Sequence, residues 1–144
     1  YRLSDIHAAL GLSQLKRIQA FLDQRKKIVA RYDRLLEFLA PVVRPILRVN
    51  NADCGWHLYP VLIDFKALGK SRGKLMGELR DRGVGTQVHY IPVHQQPYYR
   101  DRYGTGDLPG ADSYYERTVS LPLHTAMTEN DVVCVVEALS ASCS

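Results

Sequence analysis

Leu3, Ile6, Leu10, Leu15, Ile18, Leu22, Ile28, Tyr32, Leu35, Leu36 and Leu39 recur mostly three or four residues apart, or at sums of these. That period marks one face of an α-helix. The stripe runs for about 35 residues until Pro41, which cannot continue it because proline lacks the N–H and crowds the preceding turn. Ser4 is placed as an N-cap, and Asp5 in the first turn suits the helix dipole. So long a pattern predicts a bend or break near Asp23–Gln24. An apolar stripe of this length needs a cover, either a small sheet from the rest of the chain or another domain.

The remainder alternates short elements. Trp56–Phe65 is rich in aromatic and β-branched residues and is predicted as a strand, with Pro60 arguing for an edge or a bulge. Arg44–Cys54 is expected to be an irregular connector, with Asn50, Asn51 and Gly55 as turn residues. Ser71–Arg82 is a short helix with Leu75 and Leu79 inward and Gly83 as its C-cap. Gly85–Tyr90 is predicted as a second strand. Tyr98–Tyr103 and Ala111–Thr118 are helical turns, and Val119–Leu123 is an extended piece. Thr128-Glu-Asn-Asp131 is a capping signature that opens a last helix. The fold class is α+β: a long leading helix plus a small two- to three-stranded sheet with helices packed on one side.

The totals set limits. At 144 residues and 46% hydrophobic, the chain is one globular domain of ordinary size. No apolar run is long enough to span a bilayer, and no signal peptide is evident. Three cysteines without C-x-x-C spacing argue against a zinc ribbon or a disulfide framework and suit a cytoplasmic protein. The chain opens on Tyr1 rather than methionine, which predicts a segment of a longer polypeptide. Charge is uneven: residues 1–50 carry ten Lys/Arg against four Asp/Glu, and residues 51–144 nine against eleven. The basic half is either a solvated helix face or a surface for an anionic partner such as phosphate. One basic cluster, Arg25-Lys26-Lys27, with no accompanying motif does not make a nucleic-acid site.

The stretch Val84-Gly-Thr-Gln-Val-His-Tyr-Ile-Pro-Val-His94 concentrates the chemistry. Pro92 and Pro97 forbid a helix here, so His89 should end a strand and His94 should sit in the loop that follows. Imidazole and phenol can both donate hydrogen bonds to phosphate or sugar hydroxyls. A packed aromatic loop and a ligand-binding loop both fit. His57, His89, His94 and His124 show no metal-ligand spacing. There is no nucleophile elbow, P-loop or dinucleotide fingerprint.

Several segments resemble one family in the same order. Tyr1-Arg-Leu-Ser-Asp-Ile-His-Ala-Ala-Leu-Gly-Leu-Ser-Gln-Leu15 is similar to a segment of the DegT/StrS sugar aminotransferases, with His7 where glutamine is usual. Arg25 and Tyr32, Trp56-His-Leu-Tyr-Pro60, Leu79–His94, Ser120-Leu-Pro-Leu123 and Met127–Asp131 match further family motifs. The resemblance implies the small C-terminal domain of a fold-type I aminotransferase, residues 41–144, with residues 1–40 as the leading helix that joins it to a large domain. It implies pyridoxal 5'-phosphate in the full-length protein, on a lysine outside this chain. Lys66, Lys70 and Lys74 match no Schiff-base motif, so the isolated chain is expected to lack catalysis and covalent cofactor. The loop motif is most similar to the pseudaminic-acid branch, in which L-glutamate donates an amino group to C4 of a UDP-linked 4-keto-6-deoxy sugar. Gln87, His89, Tyr90 and His94 become the candidate substrate-binding residues. Tyr1 and Arg2 would lie near the active site of the partner subunit in a homodimer with shared sites. A stand-alone nucleotide-sugar-binding or interaction module without activity remains open on the residues alone.

Overall fold

The computed structural model describes residues 2–49, 54–104 and 106–143. Tyr1, placed above near the partner subunit's site, and the turn residues Asn50 and Asn51 lie outside them.

Helix α1 (Asp5–Leu15) starts at Ser4, whose Oγ accepts from the His7 backbone N–H at 3.4 Å. Helix α2 (Ile18–Leu36) follows and tightens into a 3-10 turn over Glu37–Leu39. The break therefore falls at Lys16–Arg17, seven residues before the expected one. The sequence does contain its trace: the step of five from Leu10 to Leu15 is where the period of three and four slips. The two helices also differ in cover. Ile28, Val29, Tyr32 and Leu36 are buried, whereas Leu3 just ahead of α1 and Ile6, Leu10, Leu12 and Leu15 on it are exposed, Ile6 by 82% and Leu10 by 59%.

The sheet has three antiparallel strands in the order β1 (Val43–Pro45), β2 (Tyr59–Ile63) and β3 (Thr118–Leu121). Strand β1 runs into the span Arg44–Cys54 expected to be irregular, through Arg44 and Pro45. It exists through its pairing of Val43 with Ile63 and Pro45 with Val61, a long-range partnership that three residues cannot announce. β2 is the central strand, against the edge position that Pro60 suggested. The register explains how it tolerates proline. Pro60 faces Ser120 of β3, and the N–H and C=O of Ser120 are both spent on Gln87, so Pro60 and Ser120 are a non-hydrogen-bonded pair. The missing N–H of Pro60 would point toward β1, which ends one residue short, opposite Val61.

One face of the sheet carries Val43, Tyr59, Val61, Ile63, Val119 and Leu121, all buried. Against it pack α2, α4 (Arg72–Asp81) through Leu75 and Leu79, and α7 (Glu129–Cys143) through Val132, Val135, Val136 and Leu139. The ring of Tyr32 on α2 stacks on Tyr59 of β2 at 4.6 Å, and its hydroxyl donates to the Pro122 carbonyl at 2.9 Å. Helix ends follow local chemistry. Ser71 caps α4, and Gly83 closes it at φ +80 in a Schellman arrangement, with Val84 N bonded to Leu79 O and Gly83 N to Arg80 O. Asp131 Oδ2 accepts from the Thr128 N–H at 2.7 Å, and the Asp131 N–H returns to Thr128 Oγ1, a capping box with aspartate in the usual glutamate position. The short helices α3 (Phe65–Leu68), α5 (Pro97–Tyr103) and α6 (Pro109–Arg117) complete the order.

Candidate functional site

Strand alternation turns Ser120 to the face of β3 opposite Val119 and Leu121. That opposite face organises the segment from Val84 to Gln96. Gly85–Tyr90 is not the predicted second strand: it makes one isolated bridge, with Gln87 N donating to Ser120 O at 3.3 Å and Ser120 N to Gln87 O at 2.8 Å. On the side toward His89 little partner strand remains, because β3 begins at Thr118, directly after α6. His89 thus leaves a bridge rather than ending a strand.

Two anchors then hold the segment. At the first, His89 Nδ1 lies 2.8 Å from Ser120 Oγ, while the Tyr114 hydroxyl of α6 donates to the His89 carbonyl at 3.4 Å. At the second, Asp112 Oδ1 on α6 meets His94 Nε2 at 2.9 Å and accepts from Gln95 Nε2 at 2.5 Å. Between the anchors the His89–Tyr90 peptide is cis and the two rings meet edge to face at 4.7 Å. Tyr90 is 69% exposed. Gln87 and Tyr90 line one cavity of about 390 Å³ together with Arg72, Gln96 and Tyr115. Arg72 sits over the Tyr115 ring, 4.6 Å from its centroid, and donates to the Tyr115 carbonyl.

The structure therefore brings Gln87, His89 and Tyr90 together along one short stretch. It draws His94 away from them toward α6. Arg2 is exposed ahead of α1 and does not line this cavity. Sequence reasoning missed Ser120, Asp112, Tyr114 and Arg72 as partners of the segment. Ser120 stood in a quoted motif, but its hydrogen bond to a residue 31 positions away is invisible to any local pattern. A larger cavity of about 530 Å³ lies at the start of α7, lined by Arg82, Pro122, His124, Met127, Asp131 and Cys134. Its carboxylate is already committed: the bonds from Thr128 hold Asp131 below the usual carboxylate range.

Among the described residues no group of three or more His, Cys, Asp or Glu is placed to hold a metal ion. No helix is long and apolar enough to cross a membrane.

The arrangement gathers hydrogen-bonding side chains beside a cavity. Residues 1–140 match the DegT/DnrJ/EryC1/StrS aminotransferase family, and the chain belongs to it. It is 39% identical over 138 residues to the spore coat polysaccharide biosynthesis protein SpsC of Bacillus subtilis, covering 94% of this chain and 35% of SpsC. Among solved structures it resembles Helicobacter pylori PseC, an aminotransferase involved in the biosynthesis of pseudoaminic acid, with a TM-score of 0.89 and 30% identity over 99% of this chain and 38% of PseC. It also resembles a Streptococcus pneumoniae protein in its apo form, with a TM-score of 0.88 and 28% identity over 99% of this chain and 35% of the other. That protein has also been solved in PLP and PMP forms. The chain thus spans little more than a third of the proteins it matches.

The described residues do not by themselves fit the pyridoxal phosphate that such relatives hold. A Schiff-base lysine must be able to lose its proton in a protected pocket. Lys16, Lys27, Lys66 and Lys74 are exposed to solvent. Lys70, half-buried, is committed to Glu78 at 3.2 Å and to the Ser142 carbonyl at 2.7 Å. Lys26 lies half-buried on α2 and lines neither of the two cavities described above.

Proposed function

We propose that this chain is the small C-terminal domain, residues 41–144 preceded by the leading helix of residues 1–40, of a pyridoxal-phosphate-dependent nucleotide-sugar aminotransferase. The reaction is amino transfer from L-glutamate to C4 of a UDP-linked 4-keto-6-deoxy sugar, as in the pseudaminic-acid branch typified by UDP-4-amino-4,6-dideoxy-N-acetyl-β-L-altrosamine transaminase. The likeness to PseC supports that branch. The observation that supports this reading is the segment anchored at His89 and His94, which places Gln87 and Tyr90 on a cavity while His89, outside that lining, is held on Ser120 beside them. The cofactor and its lysine belong to the rest of the polypeptide, a cytoplasmic homodimer with shared sites in which Tyr1 and Arg2 approach the partner's site. This domain supplies orientation: His89, Tyr90 and Gln87 contact the nucleotide sugar, and His94 braces the loop that carries them.

The test is His89→Ala in the full-length enzyme, with the two half-reactions measured separately. Loss of a hydrogen bond to a charged group is worth roughly 1.5–3 kcal/mol. The sugar-nucleotide half-reaction should therefore slow about tenfold to a hundredfold in kcat/KM relative to the half-reaction with glutamate. Equal losses in both would assign His89 a purely structural part.

A further inference from the structure

We propose that Ser120 is the positioning residue of this site: its hydroxyl fixes the ring and the tautomer of His89, so that Nε2–H is the group presented to the ligand. The inference rests on the reading of His89 as a ligand-contacting residue. Ser120 is 4% exposed and sits in β3, the most confined part of the sheet next to the loop. Its backbone N–H and C=O are both spent on Gln87, which fixes the chain two residues before His89. The remaining polar group of Ser120 is Oγ, and its partner is His89 Nδ1 at 2.8 Å. A buried hydroxyl is costly without a partner. Its single proton is best used toward Nδ1 as acceptor, and a neutral imidazole that accepts at Nδ1 carries its hydrogen on Nε2. Nε2–H is a donor, the polarity that a phosphate oxygen, a sugar hydroxyl or a keto oxygen requires. The Tyr114 hydroxyl on the His89 carbonyl holds the same residue from the α6 side, so backbone and ring are pinned independently. One serine therefore does two things: it sets the bridge that places the segment and the proton that the segment offers.

The experiment uses the full-length enzyme, with His89 followed by ¹⁵N NMR of labelled histidine and with sugar-nucleotide kinetics. In the wild type the neutral ring should show Nδ1 unprotonated and Nε2 protonated. Ser120→Ala should convert this to a mixture of tautomers and lower kcat/KM for the sugar nucleotide roughly fivefold, the value of one neutral hydrogen bond. In a His89→Ala background Ser120→Ala should add no further loss, because the ring it positions is gone. Should Ser120→Ala fold poorly, Ser120→Thr against Ser120→Val gives the same comparison at matched shape, with the threonine variant keeping the tautomer and the rate. An unchanged tautomer in Ser120→Ala, or an equal loss with and without His89, would overturn the proposal and leave Ser120 a packing residue. A tautomer that follows Ser120 while His89→Ala spares the sugar half-reaction would keep the positioning and discard the sugar reading.

Discussion

The hydroxyl of Tyr59 in the central strand donates to Asp33 Oδ1 on α2 across 2.6 Å, tying the sheet to the long helix beneath the Tyr32–Tyr59 stack. Arg48 closes the same carboxylate with two bonds of 2.5 and 2.6 Å and lies over the Trp56 ring at 4.4 Å. The two partners of Asp33 differ in environment, and that difference can be measured.

Tyr59 is buried, whereas the Arg48 and Asp33 side chains are each about a third exposed. Arg48→Ala should therefore cost under ~1 kcal/mol, as screened ion pairs do. Asp33→Ala removes the acceptor of a buried hydroxyl and should cost about 1–3 kcal/mol. Urea unfolding of the two variants checks the order, and a larger loss for Arg48→Ala would contradict it.

The same burial has a pH consequence. Burial first, and Asp33 second, pushes the Tyr59 hydroxyl far above its ordinary value of about 10; burial, with Asp131 adding to it, does the same to Tyr32. A group whose folded pKa is raised contributes fully below its unfolded pKa. Above about pH 10 the unfolded chain loses these protons while the native chain keeps them, so stability falls. The slope should reach about 1.4 kcal/mol per pH unit for each tyrosine. Thermal melts between pH 8 and about 11 should show this decline, and a Tyr32→Phe/Tyr59→Phe protein should lose most of it, keeping only the smaller part due to the Cys143 thiol, which burial also pushes up.

Gly83 holds φ +80 with no atom within 4 Å of where a Cβ would stand. Gly83→Ala should thus cost only the conformational penalty, about 1 kcal/mol or somewhat more. A loss of several kcal/mol in chemical denaturation would mean that the Schellman turn carries packing as well.

On α1, Leu10 is exposed along with its stripe neighbours. A contiguous apolar surface of more than a few hundred Å² marks an interface. The 144-residue chain should self-associate in sedimentation velocity, and Leu10→Glu should restore the monomer without lowering the melting temperature. A monomeric wild type, or a variant that simply unfolds, would refute the interface.

Local chemistry was legible in the residues. Ser71 and Gly83 bracket α4, and Thr128 with Asp131 opens α7, because caps and left-handed glycines act within a turn of where they stand. The α+β class and the concentration of polar groups between Gln87 and His94 were legible for the same reason, and the ordered motifs pointed to the family. What lay beyond reach depends on distant partners. Val43–Pro45 is a strand because Val61 and Ile63 face it, and Pro60 is central because its absent N–H meets the end of β1. His89 is oriented by Ser120, and His94 is turned from the loop by Asp112. By itself the sequence determined most of the helical segments, though not α3 over Phe65–Leu68, several of their caps and which family the chain resembles. The tertiary structure alone decided which side chains face one another, since a hydrogen bond at 2.8 Å is set by strand register and packing across tens of residues.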